Sequence, residues 1–220
     1  MDKSASLSVG ALPHRSTSLL EAMTRPRIFL HTFDSDMASA WRGAFAAVAD
    51  VVVVEGDILE GPCDAVVSPA NSFGFMDGGI DLAYLRYFGT DLQSRVQAKI
   101  RGEFFGELPV GQAIVVSTGH KGVPYLVAAP TMRIPDRIGD TVNVYLAFRA
   151  SLLAVIAHNK SSPIPIVSLR IPALGTGIGA MPLNRAARQM HAAYVSVFES
   201  PAWLRDPAAI VLNHEDLRST

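Results

Sequence analysis

The chain has 220 residues, of which 49% are hydrophobic and 18% charged, with a formal net charge of −1. This composition indicates a globular domain with a substantial core and excludes an intrinsically disordered chain. The charge gives no signal for nucleic acid or an anionic membrane, and no apolar run is long enough to span a bilayer. Cys63 is the sole cysteine, which excludes an internal disulfide and favours a reducing, cytoplasmic location.

Residues 1–24 are rich in Ser, Leu and Ala but lack the sustained apolar segment of a signal peptide, so we expect a flexible N-terminal tail. Residues 25–220 are predicted to form a single domain. The predicted strands cover 27–33, 51–54, 65–67, 111–117, 125–129, 164–171 and 209–212. The predicted helices cover 35–48, 80–105 with a break at 89–90, 141–158 and 182–198.

This alternation of strands and helices predicts a three-layer α/β/α domain with a mixed central sheet, in which 111–117 and 125–129 form a hairpin. Aromatic residues at helical spacing are predicted to lie in the core: Trp41, Phe45, Tyr145, Phe148, Tyr194 and Phe198. Three arginines are predicted to be solvated at the surface, the alternative for each being a contact with a phosphate: Arg133, Arg137 and Arg170. The six histidines are scattered, and with no Cys pair or His-x-x-x-His this argues against a dedicated zinc site.

Two glycine-rich loops each follow a short apolar run. The first covers residues 68–81 and the second residues 171–182. Dense glycine lets backbone N–H groups converge on an anion without interference from a Cβ, and we expect Gly177 to use positive φ. Two such loops on one domain suggest a ligand with two or more phosphates. The alternative for each loop is a glycine turn that binds nothing.

The second loop also fits the dinucleotide pattern G-x-G-x-x-A, with Gly175, Gly177 and Ala180 between a predicted strand and helix. A Rossmann domain carries this pattern in its first βα unit, whereas here only one helix and one short strand follow. The chain has no G-x-x-x-x-G-K-[ST], which disfavours a P-loop NTPase. A strand that delivers a glycine turn to a helix N-terminus remains an anion site under either interpretation.

Asp57 follows the β-branched run 51–54, at the carboxyl end of a predicted buried strand. Ligands of open α/β sheets bind at that edge, where a carboxylate can accept a hydrogen bond from an exocyclic amine such as adenine N6. The alternative is that Asp57 caps its own loop.

Four segments in this order resemble the macro domain, an ADP-ribose-binding fold: residues 55–58 (EGDI), 64–72 (DAVVSPANS), 78–81 (GGID) and 172–178 (PALGTGI). The resemblance covers about residues 27–213. It implies that Asp57 accepts from the adenine amine, that the Ile58 N–H contacts the adenine ring, and that Asn71 contacts the distal ribose. The backbone groups that it places around the diphosphate belong to Gly78, Gly79, Ile80, Gly175, Thr176, Gly177 and Ile178, with Gly179 beside them.

The spacing from Asn71 to Asp81 is similar to that of MacroD-type mono-ADP-ribosyl hydrolases. The resemblance therefore implies a catalytic role for both residues, with a water held near the distal ribose. Two alternatives are a non-catalytic reader of ADP-ribose and an ADP-ribose 1″-phosphate phosphatase. Asp81 discriminates between the reader and the hydrolase, although it is also placed to cap the helix that begins near Ile80.

Several positions depart from the family pattern. Ser68 and Pro69 replace a common Asn-Ala, and we expect the short Ser68 side chain to lose a structural hydrogen bond. Met76-Asp77 stands where hydrolases often have Gly-Gly, which brings a negative charge near the diphosphate unless Asp77 points away, binds a cation or is protonated. Gly179 replaces a common aromatic, with Phe73 or Phe75 as candidates to cover the ribose, and no adenine-stacking aromatic is evident near 213–214. These departures predict a divergent member of the family. The resemblance implies that it binds ADP-ribose or an ADP-ribosylated macromolecule, hydrolyses an ADP-ribose linkage and needs no cofactor.

Overall fold

The protein is described from a computed structural model that covers residues 25–199 and 206–219. The predicted tail, residues 1–24, lies outside these residues. A six-stranded sheet has the order β2-β1-β6-β3-β5-β4, and only β4 is antiparallel to its neighbour. The strands are β1 (Arg27–Thr32), β2 (Val51–Glu55), β3 (Ala65–Ser68), β4 (Ile114–His120), β5 (Val123–Ala128) and β6 (Ser168–Pro172).

Helices cover both faces of this sheet, so the predicted three-layer α/β/α domain with a mixed sheet is confirmed. The helices are α1 (Ser35–Ala44), α2 (Gly79–Phe88), α3 (Asp91–Phe104), α4 (Asn143–Ser161), α5 (Leu183–Phe198) and α6 (Pro207–Arg218). Alternate residues of a strand point to opposite faces, so Val67 packs in the core under α1, α4 and α5 while Val66 packs in the core under α2 and α3.

The predicted core aromatics are confirmed. Trp41, Phe45, Phe148 and Tyr194 are buried, and Tyr145 and Phe198 are partly buried against the same core. The hairpin of β4 and β5 and the break between α2 and α3 are also confirmed. Helix α1 is shorter than predicted, because the chain leaves the helix at Phe45. Pro182 is the N-cap of α5 and not its first helical residue.

The predicted strand at 209–212 is wrong, because these residues lie in α6. Pro207 occupies the first turn of this helix, and the Asp206 carboxylate accepts a hydrogen bond from the Ala208 N–H at 3.0 Å. A run of four apolar residues does not distinguish a strand from a helix. Strand β1 already pairs with β6, so that side of β6 is not open to a strand from this end of the chain.

Strand β6 begins at Ser168 and not at Ile164, where the sequence predicted it. Pro163 and Pro165 precede it and cannot donate to a sheet ladder. The chain at Ile166 is instead held by Asn159 of α4, which accepts from the Ile166 N–H at 2.7 Å and donates to its carbonyl at 2.9 Å.

Candidate functional site

Five loops leave the sheet along one edge, because β2, β1, β6, β3 and β5 are parallel and their carboxyl ends align. Neighbouring strands lie about 5 Å apart, so these loops lie side by side. They begin at residues 33, 56, 69, 129 and 173. The edge therefore gathers both glycine-rich loops and Asp57, as the sequence predicts for a ligand site in an open α/β sheet.

The first glycine-rich loop is shaped by Asn71 and Met76. The Asn71 carboxamide oxygen accepts from the N–H groups of Phe73 (3.0 Å) and Phe75 (3.3 Å), and its nitrogen donates to the Phe75 carbonyl at 2.9 Å. Met76 is fully buried in the core under α2 and α3. Its N–H donates to the Gln93 side chain at 2.8 Å. The Met76-Asp77 departure thus places an apolar side chain in the core and leaves Asp77 exposed.

Helix α2 begins directly after this loop with an open N-terminus. Gly78 is its N-cap and supplies no side chain, so the N–H groups of the first turn have no side-chain partner. Gly79 has φ of +54°, and a Cβ there would meet no atom within 4 Å. Gly78 and Gly79 are exposed and Ile80 is half-buried. These exposed N–H groups and the helix dipole make this N-terminus suited to an anion.

The second glycine-rich loop combines a rigid base with an open tip. Gly175 has φ of +70°, and a Cβ there would lie 2.7 Å from Val144 Cγ2. A Cβ on Gly179 would lie 2.5 Å from the Gly175 carbonyl oxygen, so this position excludes the aromatic residue common in the family. Gly177 and Ile178 are exposed. Gly175 has a positive φ and Gly177 does not, so the expectation of a positive φ at Gly177 is wrong.

The N–H groups of residues 175–179 donate to no protein acceptor in the part of the chain that the structure describes. The loop is folded by its carbonyls instead. The Gly175 carbonyl accepts from the Met181 N–H at 3.0 Å, and the Gly179 carbonyl accepts from the Ile138 N–H at 2.8 Å. Free donors held on a fixed backbone are the property that the sequence predicts for a phosphate-binding loop.

Asp57 is exposed, and its Oδ1 accepts from the Leu59 N–H at 2.9 Å. This bond is the loop cap that the sequence leaves as an alternative, and it leaves the second carboxylate oxygen open to a ligand. Ile58 is buried below the same loop.

Arg170 is the side chain that holds this loop, so the prediction of a solvated surface arginine is wrong at this position. Its guanidinium donates to the carbonyls of Ile58 (2.9 Å), Gly61 (3.1 Å) and Pro62 (3.1 Å). Arg133 and Arg137 are exposed as predicted. A lone arginine in a strand carries no sequence signal for which carbonyls it will reach.

Asp81 is the most perturbed acid of the site. It lies in the first turn of α2, is 8% exposed, and its Oδ1 accepts from the Ser68 hydroxyl at 2.5 Å. Burial raises the pKa of Asp81 from 3.8 to about 7, the Ser68 hydrogen bond opposes this rise, and the nearby Asp77 charge adds to it. The carboxyl group therefore changes protonation near neutral pH.

The expectation for Ser68 and the capping alternative for Asp81 are both wrong. Ser68 does not lose a structural hydrogen bond, because its hydroxyl reaches Asp81. The Asp81 side chain does not cap α2, since this helix has no side-chain cap bond. Asn71 and Asp81 flank the same loop, but no hydrogen bond joins them among the described residues.

Two further side chains at this edge were not selected from the sequence. Phe33 directly follows β1 and is 82% exposed. His31 is buried, and its Nδ1 is the only buried side-chain nitrogen or oxygen without a hydrogen-bond partner in residues 25–199 and 206–219. Burial and the Arg170 charge lower the pKa of His31. Phe33 could have been selected from the sequence, because it lies at the end of a predicted strand and the next predicted strand precedes Asp57.

The chain is therefore an α/β domain whose aligned strand ends carry two glycine-rich loops with N–H groups suited to a phosphate. The macro domain family matches residues 67–190, which is more than half of the chain, so the chain belongs to the macro domain family.

Relatives and solved structures agree with this membership. The chain is 33% identical over 137 residues to a macro domain-containing protein of Cupriavidus necator, covering 61% of this chain and 74% of the relative. It is also 33% identical over 141 residues to an uncharacterised protein of Aquifex aeolicus, covering 64% and 78%. The fold matches the macrodomain of Mycobacterium tuberculosis DarG with a TM-score of 0.53 at 23% identity, covering 64% of this chain and 88% of that one.

Another similar structure is a mutant macrodomain of Oceanobacillus iheyensis solved with ADPR, with a TM-score of 0.53 at 20% identity, covering 64% of this chain and 74% of that one. A second structure of the Oceanobacillus macrodomain was solved with ADP, with a TM-score of 0.54 at 19% identity, covering 66% and 75%. Within the described residues, no helix is both long and apolar enough to cross a membrane.

Proposed function

We propose that this macro domain binds ADP-ribose at the carboxyl edge of its sheet and hydrolyses an ADP-ribose linkage. The observation that carries the binding proposal is the pair of free N–H clusters, one at the N-terminus of α2 and one at residues 175–179. Each cluster suits one side of a diphosphate. The backbone supplies these donors, so the diphosphate can be held although the chain has a net charge of −1.

The adenosine end is assigned to the side of β2 and β1. Asp57 has an open carboxylate oxygen for an exocyclic amine, and the Ile58 backbone lies next to it. Phe33 leaves the neighbouring strand with an exposed ring, and exposed aromatic rings stack on nucleobases. Phe33 is thus our candidate for the adenine platform that is not evident near residues 213–214.

The distal ribose is assigned to Asn71 and Asp81 in the segment that joins β3 to α2. In hydrolysis, a bond forms between a water oxygen and C1″ while the bond from C1″ to the acceptor oxygen breaks. An ionised Asp81 takes the proton that the attacking water loses, and the departing acceptor oxygen keeps the electron pair of the broken bond. The pKa of about 7 for Asp81 suits this proton transfer at neutral pH.

A non-catalytic ADP-ribose reader is the second candidate, favoured by one specific observation. All three hydrogen bonds of the Asn71 carboxamide go to its own loop, at Phe73 and Phe75. A reader needs only the N–H clusters and Asp57, whereas a hydrolase also needs Asp81 beside C1″. A phosphatase acting on ADP-ribose 1″-phosphate would use the same site with a different leaving group.

Calorimetric titration with ADP-ribose tests the binding site. We expect a dissociation constant on the order of micromolar, about −8 kcal/mol. Asp57→Ala should weaken binding by about 1.5–3 kcal/mol, the range for a hydrogen bond to a charged group. The loss should be smaller for the hypoxanthine analogue, which lacks the amine.

Glu60→Ala is the matched control, because it removes an exposed carboxylate from the same loop. Equal losses for the two ligands in Asp57→Ala would show that Asp57 does not read the base. Absence of heat and of a thermal shift at millimolar ADP-ribose would overturn the binding proposal.

A further inference from the structure

Ser68 and Asp81 form a buried pair between the sheet and α2. The Ser68 Oγ lies 2.5 Å from Asp81 Oδ1, and the two residues are 1% and 8% exposed. A hydroxyl that donates to a carboxylate forms a charge-assisted hydrogen bond, which is stronger than a neutral one. Burial strengthens this hydrogen bond, because little water competes for either partner.

Both partners are held on rigid elements. Ser68 is the last residue of β3, lies opposite Ala128 of β5 and accepts the Ala129 N–H at its carbonyl at 2.9 Å. Helix α2 is tied to the same strand by Tyr84, whose hydroxyl donates to the Val67 carbonyl at 3.0 Å. The Ser68 hydroxyl therefore approaches Asp81 from a fixed position.

The second carboxylate oxygen of Asp81 has a different environment. No donor among the described residues reaches Oδ2. It is not a buried orphan either, because His31 Nδ1 is the one such atom in that part of the chain. Oδ2 therefore keeps some contact with solvent at the carboxyl edge of the sheet, while Oδ1 is occupied.

We propose that Ser68 is a positioning residue, whose hydroxyl fixes Oδ1 of Asp81 so that Oδ2 is presented to water at the distal ribose. This inference rests on the proposed hydrolysis. The orientation of a carboxylate decides whether its lone pair is aligned for proton transfer, so loss of the anchor should lower turnover without altering the diphosphate-binding loops. In this chain the anchor is the hydroxyl of Ser68, which donates to Asp81 Oδ1.

The charged and titratable groups around the pair are few. Asp77, in the loop before α2, raises the pKa of Asp81, and Tyr84, on α2, is a fully buried neutral phenol. The Ser68 hydrogen bond opposes the effect of burial by stabilising the ionised carboxylate. Removal of the hydroxyl should therefore raise the pH at which Asp81 ionises.

The test compares the parent with Ser68→Ala, Ser68→Thr and Ser151→Ala. Ser151 is the control, because its fully buried hydroxyl donates to the Ala147 carbonyl within α4. Two experiments are run on each variant. The first measures kcat and KM against pH on a mono-ADP-ribosylated protein, and the second is the NMR titration of the Asp81 carboxyl carbon, assigned with Asp81→Asn. The NMR titration needs no turnover.

For Ser68→Ala we expect the midpoint of the Asp81 titration and the acidic limb of the pH profile of kcat to shift to higher pH by about one unit. At pH 6.5 kcat should fall about tenfold, a one-unit shift being a tenfold change. KM and the affinity for ADP-ribose should stay within about twofold of the parent. Ser68→Thr, which keeps a hydroxyl, should restore the parental profile, and Ser151→Ala should leave it unchanged.

The proposal is overturned if the pKa of Asp81 in Ser68→Ala equals that of the parent. It is also overturned if this pKa rises while the pH dependence of kcat stays the same. If the parent hydrolyses no linkage, the proposed function fails, and with it the catalytic consequence of Ser68. The NMR titration still decides in that case whether Ser68 controls the ionisation of Asp81, so the two failures are distinguishable.

Discussion

The pKa of Asp81 has a consequence for stability that is independent of any ligand. Burial makes the folded state bind the Asp81 proton more tightly than the unfolded chain does, with a pKa of about 7 against 3.8. Stability from this group is therefore fully present below the unfolded pKa. It is lost as the pH rises from about 4 through about 7.

We predict that Asp81→Asn removes this loss. The free energy of unfolding is measured with urea at several pH values. The value for Asp81→Asn minus the value for the parent should increase as the pH rises from about 4 to about 8. The difference should then become constant. Other titrating groups cancel in the comparison, because both proteins share them. A difference independent of pH over this range would show that Asp81 ionises at its usual pKa.

Among elements, the second glycine-rich loop contains glycines that the packing requires, Gly175 and Gly179, and an exposed one, Gly177. Gly177→Glu should abolish ADP-ribose binding and leave the domain folded, because a Cβ there meets no atom within 4 Å and the added carboxylate stands where a phosphate belongs. Gly175→Ala should instead destabilise the fold by about 1–3 kcal/mol, since its Cβ meets Val144 and Ile138. Calorimetry and thermal melts check both variants. Undiminished binding by Gly177→Glu would exclude this loop as the phosphate cradle.

Local patterns predicted most elements, but not all of their ends and not the type of the last one. The strand at residues 51–54 and the helix break at Gly89-Thr90 were predicted correctly. Both predictions rest on β-branched residues and glycine, which restrict or free the backbone at their own positions. The segment 209–212 did not, since four apolar residues fit a strand and a helix equally. The helix that contains them begins at the Asp206 cap and Pro207, a start signal that the prediction of a strand overlooked.

Across the whole molecule, the sequence predicted which loops lie together, because parallel strands bring their carboxyl ends to one edge. Asp57 and the two glycine-rich loops required only the strand order and the family resemblance. The roles of Arg170 and Ser68 required side-chain geometry, since each acts on a partner that sequence spacing does not reveal. Ser68 was read as the loss of a hydrogen bond, and the structure gives it a carboxylate partner 13 positions away.

The release of free ADP-ribose from mono-ADP-ribosylated proteins of several linkages tests the account most directly. The parent should release ADP-ribose from at least one linkage. Asp81→Ala should lower kcat by about 10²- to 10⁴-fold, as expected for a positioned acid–base group, while its ADP-ribose affinity changes little. Asn71→Ala should also lower kcat, and the double variant should be little worse than the poorer single variant. Turnover by Asp81→Ala at the parental rate, or a parent that binds ADP-ribose and releases none from any linkage, would contradict the proposed hydrolysis.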